Sequence, residues 1–138
     1  MNERAGDLEL KNTHFANPEG LDSPDQYTSA KDLAKLLDKA LETPYFRKVF
    51  TSENHISSPT LDHPDGVFIE STVLSKVGET KGYRILGGKS GTTQKAGECW
   101  ASLGEKDGKE YIVIVMGAPI DEAKFQIQDT KKIYENIR

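Results

Sequence analysis

Five consecutive residues, Lys89-Ser90-Gly91-Thr92-Thr93, carry more chemistry per position than any other stretch of this 138-residue chain. A lysine cation can hold a substrate carboxylate, and the serine hydroxyl beside it can hydrogen-bond the same group. Glycine removes a side chain, so a ligand can lie directly against the backbone. The five follow Tyr83-Arg84-Ile85-Leu86-Gly87-Gly88, which reads as strand, and run into Gln94-Lys95-Ala96-Gly97. Lys-Ser-Gly alone is a common surface turn, so its meaning depends on the rest of the chain.

The other reactive side chains point to less. His14 lies in a loop rich in Asn, Pro and Gly, where a structural hydrogen-bonding role is expected of it rather than general base chemistry. His55, Asp62, His63 and Asp65 fit no zinc spacing and read as a solvated loop, so no metal and no cofactor is implied. Cys99 is the single cysteine, which excludes an internal disulfide. Cys99 and Trp100 alternate faces of a strand, so one belongs to the core and the other is half-exposed. The mixed charges of Lys31, Asp32, Lys35, Asp38 and Lys39 describe a wet helix face.

Elements must place the five residues. Met1 to about Leu10 reads as the end of a helix that Gly6 weakens, and Lys11 to Tyr27 as loop. Ala30, Leu33, Ala34, Leu37, Ala40 and Leu41 form an apolar stripe at helical spacing, started by Ser29 and Asp32. Pro44 opens a helical turn or two through Phe50, and Thr51 to Gly66 reads as loop. Val67 to Leu74 is β-prone. Glu98–Leu103 and Tyr111–Met116 flank Asp107-Gly108, a hairpin signal. The second run is apolar on both faces, which predicts a central strand covered on both sides. A closing helix is expected over Ile120 to Arg138, with Ala123, Ile127, Tyr134 and Ile137 inward and Asp121 and Glu122 at its positive end. The prediction is an α+β arrangement, a three-stranded antiparallel sheet with a C-terminal helix.

Composition bounds the partners. The length suits one domain, and 36% hydrophobic with 29% charged residues is not disordered in type. A net charge of −4 argues against nucleic acid. No apolar run is long enough for a membrane span, and Met1 opens a polar stretch rather than a signal peptide.

The order of several blocks adds specificity. Met1-Asn2, Ala5, Leu8, Lys11-Asn12-Thr13-His14-Phe15, Asn17-Pro18, Gly20-Leu21-Asp22, Tyr27-Thr28-Ser29-Ala30 and Asp32-Leu33-Ala34 precede Lys89-Ser90-Gly91-Thr92-Thr93 and Lys95-Ala96-Gly97. This succession resembles the serine-type D-alanyl-D-alanine carboxypeptidases, low-molecular-mass penicillin-binding proteins that trim peptidoglycan stem peptides. The resemblance runs from Met1 to about Tyr134, with a poor match between Thr43 and Arg84.

What it implies is a part of a β-lactamase/transpeptidase-like fold, an antiparallel sheet flanked by helices, acting in the cell envelope. By the resemblance Lys89 anchors the terminal carboxylate of a D-Ala-D-Ala peptide or β-lactam. Ser90 replaces the more usual threonine, Gly91 lets substrate lie along the strand, and the Thr92 N–H is one oxyanion-hole donor. The family often places an arginine early in the last helix; here Lys124 or Gln126 stands nearest. The nucleophile of the family comes from a Ser-x-x-Lys motif, and a Ser-x-Asn motif faces it. No serine of this chain, at 23, 29, 52, 57, 58, 71, 75, 90 or 102, has lysine three residues on. Ser52-Glu53-Asn54 falls on the wrong side of the Asn12–Phe15 block. Residues 1–138 are therefore expected to be a single partial domain, the C-terminal half of a catalytic domain whose first strands and nucleophile helix are missing. A complementing N-terminal segment or self-association should cover its open sheet edge. A non-catalytic peptidoglycan-peptide or protein-binding remnant is the alternative.

Overall fold

Two tight hairpins organise the chain. At the first, Thr93 pairs with Gly97 across a three-residue turn, and Gly97 takes a φ of 67° that suits a residue without Cβ. At the second, Asp107 and Gly108 both have positive φ, the signature of a two-residue turn matched to strand twist. A computed structural model describes residues 1–121 and 123–138, and the elements below refer to these.

In chain order they begin with α1 (Asn2–Asp7), α2 (Ala30–Leu41) and α3 (Pro44–Phe50). A two-stranded ribbon, β1 (Asn54–Ile56) with β2 (Phe68–Glu70), and a short α4 (Leu74–Val77) follow. The main sheet is β3 (Arg84–Thr93), β4 (Gly97–Lys106) and β5 (Lys109–Ala118), all antiparallel, and α5 (Phe125–Asn136) closes the chain. No described helix is long and apolar enough to cross a membrane.

The strand order is β3-β4-β5, so β4 and not the Tyr111–Met116 strand is central. Successive hairpins place the middle strand of three at the centre. The expectation that β5 is covered on both faces holds, because α5 packs on one face of it and α2 on the other. Its outer edge carries no strand among the described residues. Trp100, Val113 and Tyr134 join Val73, Val77, Tyr83 and Ile85 in the core on the α5 face, while Cys99 is half-exposed, as alternation requires.

Three local expectations fail. Asn54–Ile56 forms a strand inside the stretch read as loop, and Val67–Leu74 splits into a three-residue strand and the start of α4. Pieces this short bury too little to leave a period. The last helix begins at Phe125 rather than Ile120, because Lys124 is left-handed (φ 52°) and Asp121 accepts the Ala123 N–H in a turn of its own. Its fully buried face is therefore Gln126, Thr130 and Tyr134, with the expected Ile127 and Ile137 partly buried against the core; Ala123 lies outside the helix, and Glu122 outside the described residues. At the other end Lys106 of β4 donates to the Tyr134, Glu135 and Ile137 carbonyls, satisfying the helix C-terminus from the sheet.

The start of α2 has an added duty. Ser29 accepts the Asp32 N–H as an N-cap, but the Asp32 carboxylate turns away to accept from the Asn12 N–H at 2.7 Å and the Thr13 hydroxyl at 2.9 Å. Asp32 is buried, so these charge-assisted bonds are what tie the N-terminal loop to the helix. Asp32→Ala is expected to cost about 1.5–3 kcal/mol, the range for a hydrogen bond to a charged group. The check is a lower urea midpoint at unchanged slope.

Candidate functional site

The Lys-Ser-Gly stretch lies within a strand, not at the end of one. β3 continues through Thr93, and Lys89, Ser90, Gly91 and Thr92 pair with Ala101, Trp100, Cys99 and Glu98. Cross-strand partners share a face. Ser90 and Thr92 therefore sit on the face of buried Trp100 and Glu98, and Lys89 and Gly91 on the opposite face. On its other side β3 has no partner strand among the described residues, so its outer backbone groups form an open edge.

Three glycines of β3 serve different ends. A Cβ on Gly87 would stand 2.2 Å from the Phe50 carbonyl oxygen, and one on Gly88 2.6 Å from that of Ala101 and 2.7 Å from Val73. These two are required by the chain's own packing. A Cβ on Gly91 would meet nothing within 4 Å. Neither crowding nor a positive φ explains that glycine, and it is exposed.

The side chains around the edge are partly engaged. Lys89 is exposed, its Nζ donating to the Ser90 carbonyl. The Ser90 hydroxyl lies 2.9 Å from that of Thr72, which the turn before α4 brings over the strand together with Val73. Sequence reasoning missed Thr72, since it placed 67–74 on one strand. It also missed Asp22, whose carboxylate accepts from the Thr93 hydroxyl at 2.5 Å and the Lys95 N–H at 3.2 Å. Contacts across 71 and 73 residues leave no local signal.

Lys124 is not an unengaged cation. Its Nζ donates to Glu98 Oε1 at 3.0 Å, and Glu98 is buried opposite Thr92. Gln126 is buried on the inner face of α5. Where the resemblance places an arginine, Lys124 is thus exposed but already paired with Glu98, and Gln126 is buried.

His14 holds the N-terminal loop. Its Nδ1 lies 2.6 Å from the Asp25 carbonyl and must donate, leaving Nε2 to accept from Asn2 Nδ2 at 3.1 Å. Asn2 is oriented by paired bonds to the Phe15 N–H and carbonyl. His55, Asp62, His63 and Asp65 are exposed, and the described residues contain no cluster of three or more metal-ligating side chains. Asn54 of Ser52-Glu53-Asn54 is exposed at the start of β1. Cavities of about 400 Å³ and 450 Å³ lie beside α2, α3 and the Arg84 end of β3, and neither is lined by Lys89–Thr92. The candidate site is an open strand edge, not a closed pocket.

This arrangement has counterparts. The D-alanyl-D-alanine carboxypeptidase family model (peptidase S11) matches residues 1–120. D-alanyl-D-alanine carboxypeptidase DacA of Haemophilus influenzae is 30% identical over 122 residues, covering 86% of this chain and 28% of that protein. DacD of Escherichia coli is 30% identical over 135 residues, covering 96% of this chain and 32% of its own length. Among solved structures, penicillin-binding protein D2 of Listeria monocytogenes in its cefotaxime-bound form matches with TM-score 0.75 and 29% identity, over 97% of this chain and 51% of that one. The Streptomyces K15 DD-transpeptidase shares the fold with TM-score 0.79 at 23% identity, over 97% of this chain and 50% of that one. The chain thus spans under a third of these curated relatives and about half of these solved chains. It corresponds to the C-terminal part of their catalytic domain, an α+β antiparallel sheet flanked by helices. The chain belongs to the D-alanyl-D-alanine carboxypeptidase family.

Proposed function

We propose that this chain supplies the substrate-anchoring wall of a serine-type D-Ala-D-Ala carboxypeptidase acting on peptidoglycan stem peptides outside the cytoplasm. The observation that carries the proposal is Gly91, a glycine on an open strand edge that the chain's own packing does not require. A peptide adding beside β3 as an extra strand would need that space. Lys89 holds the peptide's terminal carboxylate, and the Ser90 hydroxyl, 2.9 Å from that of Thr72, donates to it once Thr72 turns its own proton toward Ser90. The Thr92 N–H is one oxyanion donor. The cefotaxime-bound Listeria relative supports a β-lactam as the mimic of that peptide.

The nucleophile comes from a segment carrying Ser-x-x-Lys, which no serine of this chain provides. In the complete site its hydroxyl attacks the penultimate D-Ala carbonyl, the C–N bond breaks, D-alanine leaves with a proton, and water then hydrolyses the acyl-serine. Its N–H completes the oxyanion hole, so the chain alone is inactive. The outer edge of β5 is where a complementing strand, or a second copy in its absence, would pair. A second reading, a binding module for D-Ala-D-Ala peptides without turnover, rests on the missing motifs.

The test is the intact mass after penicillin exposure, for the chain alone and for the chain co-expressed with a segment supplying both motifs. The expected result is no adduct alone, and one penicilloyl adduct on the supplied segment in the complex. An adduct on the 138-residue chain would refute the assigned nucleophile. A complex silent toward penicillin would favour the binding module.

A further inference from the structure

The N-terminal loop is braced by its own side chains just before Asp22. An isolated bridge between His14 and Tyr27 closes its base. Inside, Asn17 Oδ1 accepts the Gly20 and Leu21 N–H groups at 2.8 and 3.0 Å, and Gln26 Oε1 accepts those of Ala16 and Asn17 at 3.0 and 3.1 Å. Two side-chain amides thus replace the backbone pairing that a loop lacks. Asp22 follows directly after the braced residues.

Asp22 reaches the far end of the substrate strand. One carboxylate oxygen accepts from the Thr93 hydroxyl and the other from the Lys95 N–H, while Thr93 Oγ1 accepts the Ala96 N–H at 3.0 Å. These bonds span the β3–β4 turn immediately beyond Thr92. Without them that end of β3 is held by β4 alone, and a hairpin end paired on one side frays. Catalysis by an oriented backbone donor tolerates little such motion.

We propose that Asp22 is a positioning residue for the substrate strand, latching the Thr93–Ala96 turn so that the Gly91 and Thr92 backbone keeps its binding geometry. The inference rests on the Lys-Ser-Gly strand being the substrate-binding strand. Asp22 itself touches neither Gly91 nor Thr92; it acts through Thr93 and Lys95.

The experiment pairs amide hydrogen exchange of the chain with penicillin acylation rates of the complemented domain, for the parent, Asp22→Ala, Asp22→Asn and Thr93→Val. Asp22→Ala should speed exchange at Thr92–Ala96 and leave α2, β4 and β5 unchanged. Acylation should slow about tenfold, given that small misplacements can cost up to about 100-fold. Asp22→Asn, which keeps one acceptor, should restore part of both. Thr93→Val should mimic Asp22→Ala, and the double variant should add little, as expected of one coupled unit. Faster local exchange with an unchanged acylation rate would overturn the positioning role. Unchanged local exchange would overturn the latch itself. Accelerated exchange throughout the chain would make Asp22 merely structural. A parent complex that forms no penicilloyl adduct would sink the acylating-enzyme reading, and with it the catalytic positioning role given to Asp22.

Discussion

Substituting valine for Gly91 is expected to leave the chain's stability within about 1 kcal/mol of the parent while slowing penicillin acylation of the complemented domain by about 100-fold or more. The stability half follows from the space around the site. A Cβ there meets nothing within 4 Å, and φ is not positive, so a β-branched residue can adopt the strand conformation. Relieving the unfolded chain of glycine's freedom offsets any local cost. The activity half follows from the proposed use of the space. A ligand strand beside β3 must approach to hydrogen-bonding distance, and an added isopropyl group occupies the approach.

Neighbouring glycines make the contrast internal. Gly87→Ala and Gly88→Ala place a methyl under 3.0 Å from backbone carbonyl oxygens, which must then move. Each should cost about 1–3 kcal/mol, as overpacking does. Urea unfolding of the three variants separates the classes, and acylation rates assign the function. A Gly91→Val domain acylated at the parent rate would sink the strand-addition reading.

What could be read beforehand was what local physics dictates. Asp107-Gly108 announced its hairpin because few residues tolerate left-handed backbone at both turn positions. The leucine and alanine stripe of α2 was visible because that helix buries one apolar face, and Ser29 caps it as its spacing foretold. The inner face of α5 was read only in part: Ile127, Tyr134 and Ile137 do pack inward, but Gln126 and Thr130 are buried polar residues, which apolar periodicity passes over. Thr130 satisfies its hydroxyl on the Gln126 carbonyl, a bond no pattern of hydrophobicity reports. β5 was taken as central because its residues are covered on both faces, yet coverage by helices and position in a sheet are different properties. At the site Lys89, Ser90, Gly91 and Thr92 were legible as a motif. Thr72 and Asp22 were not, because each meets the strand only after the chain has folded back on itself.

Tyr134→Ala is expected to be the most damaging single substitution in the chain, at about 3–5 kcal/mol, the range for deleting a large buried aromatic side chain. The ring is fully buried, stacks on Tyr83 at 5.2 Å and 10°, and lies over Gly104, where a Cβ would stand 2.6 Å from it. Removing it empties the seam between α5 and the sheet. Tyr134→Phe isolates the hydroxyl, which lies 3.2 Å from Ser102 Oγ and 3.2 Å from the Tyr111 carbonyl. That variant should lose about 1–2 kcal/mol, since the packing stays and two buried groups lose a partner. Alkali provides an independent readout. Burial, opposed by the Ser102 hydrogen bond and assisted by Tyr83, pushes the Tyr134 hydroxyl from 10.0 up to about 12. Tyr83 is raised as well, first by burial and then by the Glu135 charge. For Tyr134 the unfolded chain ionises first, so its contribution is intact below pH 10 and is lost as pH rises from 10 to about 12. At about 1.4 kcal/mol per pH unit the loss reaches roughly 2–3 kcal/mol. Tyr134→Phe should flatten this part of the stability profile relative to the parent. A parent whose urea midpoint holds steady through pH 11.5, or a phenylalanine variant that falls just as steeply, would remove Tyr134 from the account of alkaline unfolding.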